Sequence, residues 1–159
     1  MRAARTLLLL LFSMSTASVG AASTPLPEAA PRWPLLESLQ GKVVLVDFWA
    51  SWCGPCLQSF PWMNGLHARH AGDGLVILAV NVDQNRALAD AFLKKRPPQF
   101  RIEYDAKGAL AQAFGVQAMP TSFLIGRDGT VRARHAGFRD KQRAGREQEI
   151  ELLLKERAP

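Results

Sequence analysis

The stretch VVLVDFWASWCGPC, residues 43–56, joins a continuous apolar run to a pair of cysteines. The apolar run, residues 43–49, predicts a strand buried on both faces. Cys53 and Cys56 are the only two cysteines in the 159 residues, and a helix is expected to begin at the first of them. Residues three apart share one side of a helix, so the two thiols can close into a disulfide or open into a dithiol. The stretch therefore predicts a strand, a turn and a helix that carry a two-electron redox switch.

The two sulfurs are expected to have different roles. Cys53 lies at the predicted helix N-terminus, where unpaired backbone N–H groups and the helix dipole favour a thiolate. We therefore predict that Cys53 is the attacking nucleophile and that Cys56, one turn further along, is the resolving sulfur. Pro55 suits a first helical turn, because it lacks an N–H donor and has a fixed φ.

A structural zinc site is the alternative interpretation of the cysteine pair. Such a site usually needs four cysteine or histidine ligands. Only His67, His70 and His135 remain, and none of them stands in a supporting pattern of ligand spacing. His67 and His70 are expected on the surface, at the solvated end of a helix. We therefore favour redox chemistry and expect no metal.

The first residues have the pattern of a secretory signal peptide, residues 1–22. Arg2 and Arg5 precede an apolar core, residues 7–12, and small residues follow at the cleavage positions. Cleavage is expected after Ala22, with the preceding bond as second choice. An uncleaved membrane anchor is the alternative, although the apolar core is short for a membrane span. The protein is therefore expected in the periplasm, outside the cytosolic reducing pool.

The rest of the chain is expected to form one domain. Proline-rich residues 23–34 predict a linker, and residues 35–159 have the length of a single domain. Residues 100–104 are expected to be a short extended segment. Periodicity and turn signals predict helices at 35–39, 53–70, 85–96, 105–114 and 142–157, and strands at 43–49, 75–82, 121–125 and 131–136. This order predicts an α/β fold with a central mixed sheet flanked by helices on both faces.

Positive charge is concentrated toward the C-terminus. The formal net charge of +6 falls to +4 without the two arginines of the predicted signal peptide. The residues concerned are Arg127, Arg132, Arg134, Arg139, Lys141, Arg143 and Arg146. A nucleic-acid interface would call for aromatic interleaving or a known module, and an exported protein rarely meets DNA, so we expect no nucleic-acid partner. A solvated surface is the preferred interpretation, and attraction to an anionic membrane or an acidic partner is the alternative.

The combination of these segments resembles the thioredoxin-fold superfamily, and more closely its exported TlpA/ResA-like branch, over nearly all of residues 35–159. The matching pieces are VDFWA and WCGPC in residues 46–56, Pro61 after the second cysteine, AVNV at 79–82, FGV at 114–116, MPT at 119–121, FLI at 123–125, and Asp128-Gly129. The resemblance implies a thioredoxin fold and a protein thiol–disulfide oxidoreductase that needs no cofactor.

The resemblance also implies where a substrate docks. Pro120 matches the family's cis-proline, which lies beside the dithiol, and an ordinary trans-proline at a strand start is the alternative. The backbone of Met119 would then pair with an extended substrate segment. Trp52, Gly54 and Pro55 are the other expected substrate-binding residues, with Trp52 shielding one side of Cys53.

Asp47 is a carboxylate within an otherwise apolar strand, where it is costly unless it is protonated or paired. Its expected place is under the dithiol near Cys56, where burial should raise its pKa. Asp47 is therefore predicted to accept the proton of Cys56, a role that the resemblance to thioredoxin also implies. A polar residue at a strand edge is the alternative. ResA-like proteins commonly carry Asn at this position and a glutamate shortly after the AVNV strand, where this chain has Asp83-Gln84.

The leading functional hypothesis is an exported reductant of protein disulfides, because the Gly-Pro pair between the cysteines resembles reducing relatives. Apocytochrome c or other exported proteins would be its substrates. A membrane thiol-transfer protein would recharge the dithiol, and the chain is expected to be a monomer. Binding of Cu(I) by the two thiolates for copper-site assembly is the alternative. A peroxidase is disfavoured, because residues 50–52 lack the threonine that such enzymes carry before their cysteine.

Overall fold

The computed structural model describes residues 29–158, so the predicted signal peptide and the first half of the predicted linker, residues 23–28, lie outside the described residues. Five strands form one mixed sheet in the order β3-β2-β1-β4-β5. The strands are β1 Val43–Trp49, β2 Leu75–Asn81, β3 Arg101–Tyr104, β4 Thr121–Ile125 and β5 Val131–Ala136. β1 is the central strand, parallel to β2 and antiparallel to β4. All seven of its residues are buried, as the apolar run predicts.

Helices cover both faces of this sheet, which confirms the predicted α/β thioredoxin fold. They are α1 Pro34–Glu37, α2 Gly54–His70, α3 Arg86–Lys95, α4 Ala109–Ala113 and α5 Arg143–Lys155, with a 3-10 turn at Asp140–Gln142 before α5. Residues of α2, α3 and α5 pack on one face, together with both cysteines. Residues of α1 and α4 pack on the other face. The dithiol therefore belongs to the layer formed by α2, α3 and α5.

Aromatic packing fixes α2 against the sheet. The ring of Trp49, at the end of β1, lies 4.8 Å from the ring centroids of both Phe60 and Phe92. Phe60 and Phe92 are themselves 4.9 Å apart, so α2, α3 and β1 share one aromatic cluster. Such pairs add about 0.5–1.5 kcal/mol each to the gain from burial. The helix continues through Pro61, and this cluster holds its first turns in place.

Two elements differ from the prediction. The segment expected to be extended, residues 100–104, forms the edge strand β3 over residues 101–104, parallel to β2, and the predicted order of strands left it out because it is so short. Helix α4 is shorter than the predicted 105–114. Gly108 adopts a left-handed backbone conformation with φ +70°, so the helix begins only at Ala109. Asp105 instead closes a turn, and its carboxylate accepts a hydrogen bond from the Ala111 N–H at 2.8 Å.

The end of the sheet opposite the dithiol is tied together by hydrogen bonds. The guanidinium of Arg127 donates to the carbonyls of Gly41 at 2.7 Å, Leu154 at 2.9 Å and Asp73 at 3.3 Å. The N–H of Ala30, within the predicted linker, donates to the carbonyl of Gly129 at 3.3 Å. Both ends of the described chain are therefore attached near the first residues of β1. No helix within residues 29–158 is long and apolar enough to cross a membrane.

Candidate active site

Cys53 and Cys56 lie at the N-terminal end of α2, joined as a disulfide with a Cα–Cα distance of 5.3 Å. Cys53 is the N-cap residue with extended backbone, and its Sγ accepts a hydrogen bond from the N–H of Cys56 at 3.3 Å. Cys53 is 4% exposed, whereas Cys56 is fully buried. Cys53 is thus the residue of the pair that both accepts the helix N–H and keeps some exposed area. Unpaired N–H groups at a helix start favour negative charge on its sulfur.

The surface around Cys53 is formed by residues that the sequence predicts for substrate binding. Trp52 is 70% exposed, an unusual position for an indole, which normally gains by burial. Gly54 and Pro55 are also exposed and occupy the first two positions of α2. Cys53 is therefore flanked along the chain by exposed residues, one of which is a tryptophan.

The Met119–Pro120 peptide bond is cis, as predicted. Pro120 directly precedes β4, whose first residue Thr121 pairs with Phe48 near the end of β1. The cis-proline therefore lies at the same end of the sheet as the start of the dithiol loop. The carbonyl of Pro120 accepts a hydrogen bond from the N–H of Gly137 at 2.7 Å. Within residues 29–158, no hydrogen bond uses the backbone N–H or carbonyl of Met119.

Asp47 is only 1% exposed and lies on the central strand, so the alternative of a polar residue at a strand edge is wrong. Side chains alternate along a strand, so Asp47 shares the face of Leu45 and Trp49, which pack in the same apolar cluster as Cys56. Ser122 Oγ donates to Asp47 Oδ1 at 2.7 Å. Burial raises the pKa of Asp47 to about 7, against smaller lowering effects from the Ser122 hydrogen bond and the charge of Arg146. The carboxyl can therefore change its charge near neutral pH.

Arg146 is a residue of this region that the sequence analysis placed wrongly on the solvated surface. It is 4% exposed, and its Nη2 donates to the carbonyl of Gly137 at 2.8 Å. Its position in α5 explains this burial, because Ile150 and Leu153 follow at helical spacing and point into the core. That spacing could have indicated that Arg146 is buried, although nothing in the sequence indicates that Arg146 approaches Asp47.

The loop before the dithiol is held by Asp83, which follows β2. Its carboxylate accepts hydrogen bonds from the N–H and the hydroxyl of Ser51, at 2.9 and 3.0 Å. The side-chain amide of Asn81 donates to the same carboxylate at 2.8 Å. Asp83 is 4% exposed, so these bonds satisfy a buried carboxylate and fix the residue two positions before Cys53.

Asp83→Ala is expected to lower the free energy of unfolding by about 2–4 kcal/mol, because it leaves buried donors without an acceptor. It is also expected to change the alkylation rate of Cys53, since the loop before the cysteine loses its anchor. Urea unfolding and iodoacetamide kinetics on the reduced protein measure the two effects. Asp140→Ala, at an exposed carboxylate, is the control. Wild-type values of both quantities in Asp83→Ala would contradict the anchoring role.

The histidines differ in part from the prediction of surface positions. His67 and His70 are half-buried in the last turns of α2, and His70 Nδ1 lies 3.2 Å from Asp73 Oδ2. His135 lies on β5, with its Nε2 2.7 Å from Glu149 Oε2. His67 and His70 thus lie at the end of α2 opposite the cysteines, and His135 pairs with a carboxylate of α5.

Comparisons with known proteins agree with this geometry. The Redoxin family profile matches residues 32–151. Thiol-disulfide oxidoreductase ResA of Bacillus thuringiensis subsp. konkukian is 32% identical over 124 residues, which cover 78% of this chain and 68% of that protein. A Chlorobium tepidum structure assigned as a thiol:disulfide interchange protein DsbE has a TM-score of 0.74 and 43% identity, covering 80% of this chain and 94% of that one.

An exposed lipoprotein thioredoxin of Streptococcus pneumoniae has a TM-score of 0.64 and 31% identity, over 74% of this chain and 90% of that one. The family match covers most of the described domain and includes the strand, the dithiol and the cis-proline. The chain therefore belongs to the Redoxin family of the thioredoxin superfamily and is a TlpA/ResA-like protein that carries out dithiol–disulfide exchange.

Proposed function

We propose that this protein is an exported reductant of disulfides in other proteins, with Cys53 as nucleophile and Cys56 as resolving thiol. The observation that carries the proposal is the unequal setting of the two sulfurs at the start of α2. Cys53 accepts a helix N–H and reaches solvent, whereas Cys56 is enclosed. A thiolate is favoured at the accessible position, and the enclosed thiol can react only with a sulfur already attached to Cys53.

The exchange proceeds in two displacements. The Cys53 thiolate attacks one sulfur of a substrate disulfide, the substrate S–S bond breaks, and the released sulfur leaves as a thiolate. Cys56 then loses its proton to the Asp47 carboxylate and attacks the Cys53 sulfur of the mixed disulfide. The second substrate thiolate leaves, and both substrate thiolates take protons from water at neutral pH. The substrate disulfide gains two electrons, and the Cys53–Cys56 dithiol is oxidised to the disulfide.

An extended protein segment fits the surface beside Cys53. The N–H and carbonyl of Met119, which form no hydrogen bond within residues 29–158, can offer strand-type hydrogen bonds, and the exposed Trp52 offers an apolar surface one residue before Cys53. The exposed Gly54 and Pro55 leave the approach to Cys53 unobstructed by long side chains. We therefore propose that Trp52, Gly54, Pro55, Met119 and Pro120 receive the substrate.

Two observations support the proposed compartment and direction. Residues 1–22 have the pattern of a signal peptide, and one similar solved protein is described as exposed. The Gly-Pro pair of the dithiol loop resembles that of reducing relatives. We therefore propose a periplasmic monomer that a membrane thiol-transfer protein recharges, with apocytochrome c among its substrates.

Equilibration of the dithiol against a dithiothreitol or glutathione series tests the reducing direction. We expect a reduction potential near that of thioredoxin, about −270 mV, rather than near that of the strong oxidant DsbA, about −120 mV. The oxidised fraction is read from the mass after alkylation of free thiols. The Cys53→Ser, Cys56→Ser double variant controls for alkylation elsewhere. A potential more oxidising than expected by over about 100 mV would reverse the proposed direction.

A further inference from the structure

A row of polar side chains crosses the sheet beneath α5. Asp47 on β1 pairs with Ser122 on β4, and Ser122 pairs with His135 on β5. Cross-strand partners lie on the same face of a sheet, so the three side chains form one line. Ser122 Oγ donates to Asp47 at 2.7 Å, and His135 contacts Glu149 of α5 at 2.7 Å. The row therefore leads from the buried carboxyl to a glutamate whose side chain is 43% exposed.

Two adjoining cavities follow the same row. A cavity of about 10 Å³, close to the minimum that can hold one water, lies between β4, β5 and α5. Its polar lining residues are Ser122, His135, Arg146 and Glu149. A more open cavity of about 260 Å³ shares His135, Arg146 and Glu149 with it. The hydroxyl that binds Asp47 is thus separated from a solvent-facing cavity by the side chains of these three residues.

Arg146 places a buried positive charge at the inner end of this row. Its Nη2 donates a hydrogen bond to the carbonyl of Gly137, whereas its Nε and Nη1 have no hydrogen-bonding partner among residues 29–158. Asp47 Oδ2 is likewise without a partner in that part of the chain. Arg146 acts against the desolvation that raises the pKa of Asp47, and Asp47 in turn opposes the desolvation that lowers the pKa of Arg146.

The other ionisable groups on the elements around Asp47 are few. α5 contributes Arg146 and Glu149, β5 contributes His135, and α2 contributes the two thiols of the dithiol. The neighbour of Asp47 on β2 is Ala79, which carries no charge. Arg146 is therefore the positive group that acts on Asp47, and Glu149 is the second negative group, after Asp47 itself, that acts on Arg146.

We propose that Arg146 is a positioning residue for the resolving step. Arg146 holds Asp47 in its charged, proton-accepting form, and Ser122, His135 and Glu149 connect that carboxyl to solvent. This inference rests on the proposed role of Asp47 as the acceptor of the Cys56 proton. When Cys56 attacks, its proton moves to Asp47, and Asp47 must release it before the next turnover. The cavities beside His135 and Glu149 give that proton an exit to solvent.

Titration of Asp47 in the oxidised protein tests the charge effect without enzymatic activity. The carboxyl carbon of ¹³C-labelled aspartate is followed by NMR, and Asp47→Asn identifies its signal. The wild-type midpoint is expected near pH 7. In Arg146→Met the midpoint should rise by about one pH unit, equivalent to a tenfold change in proton affinity. Arg146→Lys should lie between the two, and Arg139→Met, at an exposed arginine, should match wild type.

The rate of the resolving step provides the functional test. Below the wild-type midpoint, Arg146→Met should resolve a preformed mixed disulfide about tenfold more slowly, and the two proteins should converge at higher pH. Glu149→Gln alters a half-exposed side chain and therefore serves if Arg146→Met does not fold. It should lower the Asp47 midpoint, because it removes the charge that partly neutralises Arg146.

The outcomes separate this inference from the proposed function. If Asp47→Asn resolves mixed disulfides at the wild-type rate, the role of Asp47 itself is wrong. If Asp47→Asn is slow but neither Arg146→Met nor Glu149→Gln moves the Asp47 midpoint, the role of Arg146 is wrong and that of Asp47 stands. Midpoints displaced in opposite directions by these two variants would support the inference.

Discussion

Replacing Cys56 with serine is expected to produce a protein that reacts once with a substrate disulfide and then remains covalently attached to it. Cys53 keeps its place at the start of α2 and its contact with solvent, so the first displacement is retained. The second displacement needs the enclosed thiol of Cys56, which the variant lacks. Repeated turnover should therefore fall to the uncatalysed background, while a mixed disulfide accumulates.

Non-reducing electrophoresis and intact mass measure this adduct with a disulfide-containing protein substrate such as insulin. Cys53→Ser is the matched variant and should form no adduct, because its remaining thiol is fully buried. Dithiothreitol should release the substrate from the Cys56→Ser adduct. An adduct in Cys53→Ser but none in Cys56→Ser would show that Cys56 is the nucleophile and Cys53 the resolving thiol, which contradicts the proposed roles.

Replacing Asp47 with asparagine is expected to stabilise the oxidised protein at pH 8 and to leave its stability at pH 4 almost unchanged. The folded-state pKa of about 7 lies above the ordinary value of 3.8, because burial disfavours the charge. Between these values the unfolded chain loses its proton while the folded one retains it, so stability falls as pH rises from about 4 to 7. A displacement of about three pH units corresponds to about 4 kcal/mol, which asparagine avoids.

Urea unfolding of wild type and Asp47→Asn at several pH values between 4 and 8 measures this difference. We expect a gain of about 2–4 kcal/mol at pH 8, since asparagine can still accept the Ser122 hydrogen bond but leaves part of the amide unpaired. The gain should disappear as the pH approaches 4, where only the small, pH-independent cost of the partly unpaired amide remains. A difference that is the same at every pH would show that the carboxyl does not titrate in this range.

The same variant is expected to be a slower enzyme despite its greater stability. Loss of the proton acceptor should slow the resolving step by about a hundredfold, within the usual range for general base catalysis. The first attack by Cys53 should be little affected, because it does not use the proton of Cys56. Stopped-flow kinetics with a preformed mixed disulfide separate the two steps, and equal slowing of both would contradict this role.

Much of the site could be predicted because its parts are local in the sequence. The apolar run before WCGPC, residues 43–56, predicts both the central strand and the start of α2, and the structure has both. Asp47 is conspicuous because a carboxylate interrupts that run, and its burial is confirmed. The cis bond at Pro120 followed from the resemblance rather than from local pattern, since proline alone is compatible with either isomer.

The remaining features depend on contacts between distant segments. Arg146 lies 99 positions after Asp47 and is charged, so the sequence favoured a solvated surface, whereas the docking of α5 on the sheet buries it. Strand β3 is four residues long and only partly buried, so its alternation is too short to distinguish it from a loop. Helix α4 begins late because of the positive φ of Gly108, which a periodic pattern does not reveal.

The hydrogen bonds at the start of β1 have a consequence for how the protein can be attached to a surface. Ala30 is tied to Gly129, and Leu154 is tied through Arg127 to Gly41, so both ends of the described chain leave the domain at one pole. The dithiol loop follows the other end of β1, about 20 Å away for a strand of this length. A tether joined to either end would therefore leave Trp52 and Cys53 facing outward, so an immobilised form should keep its reach toward large protein partners.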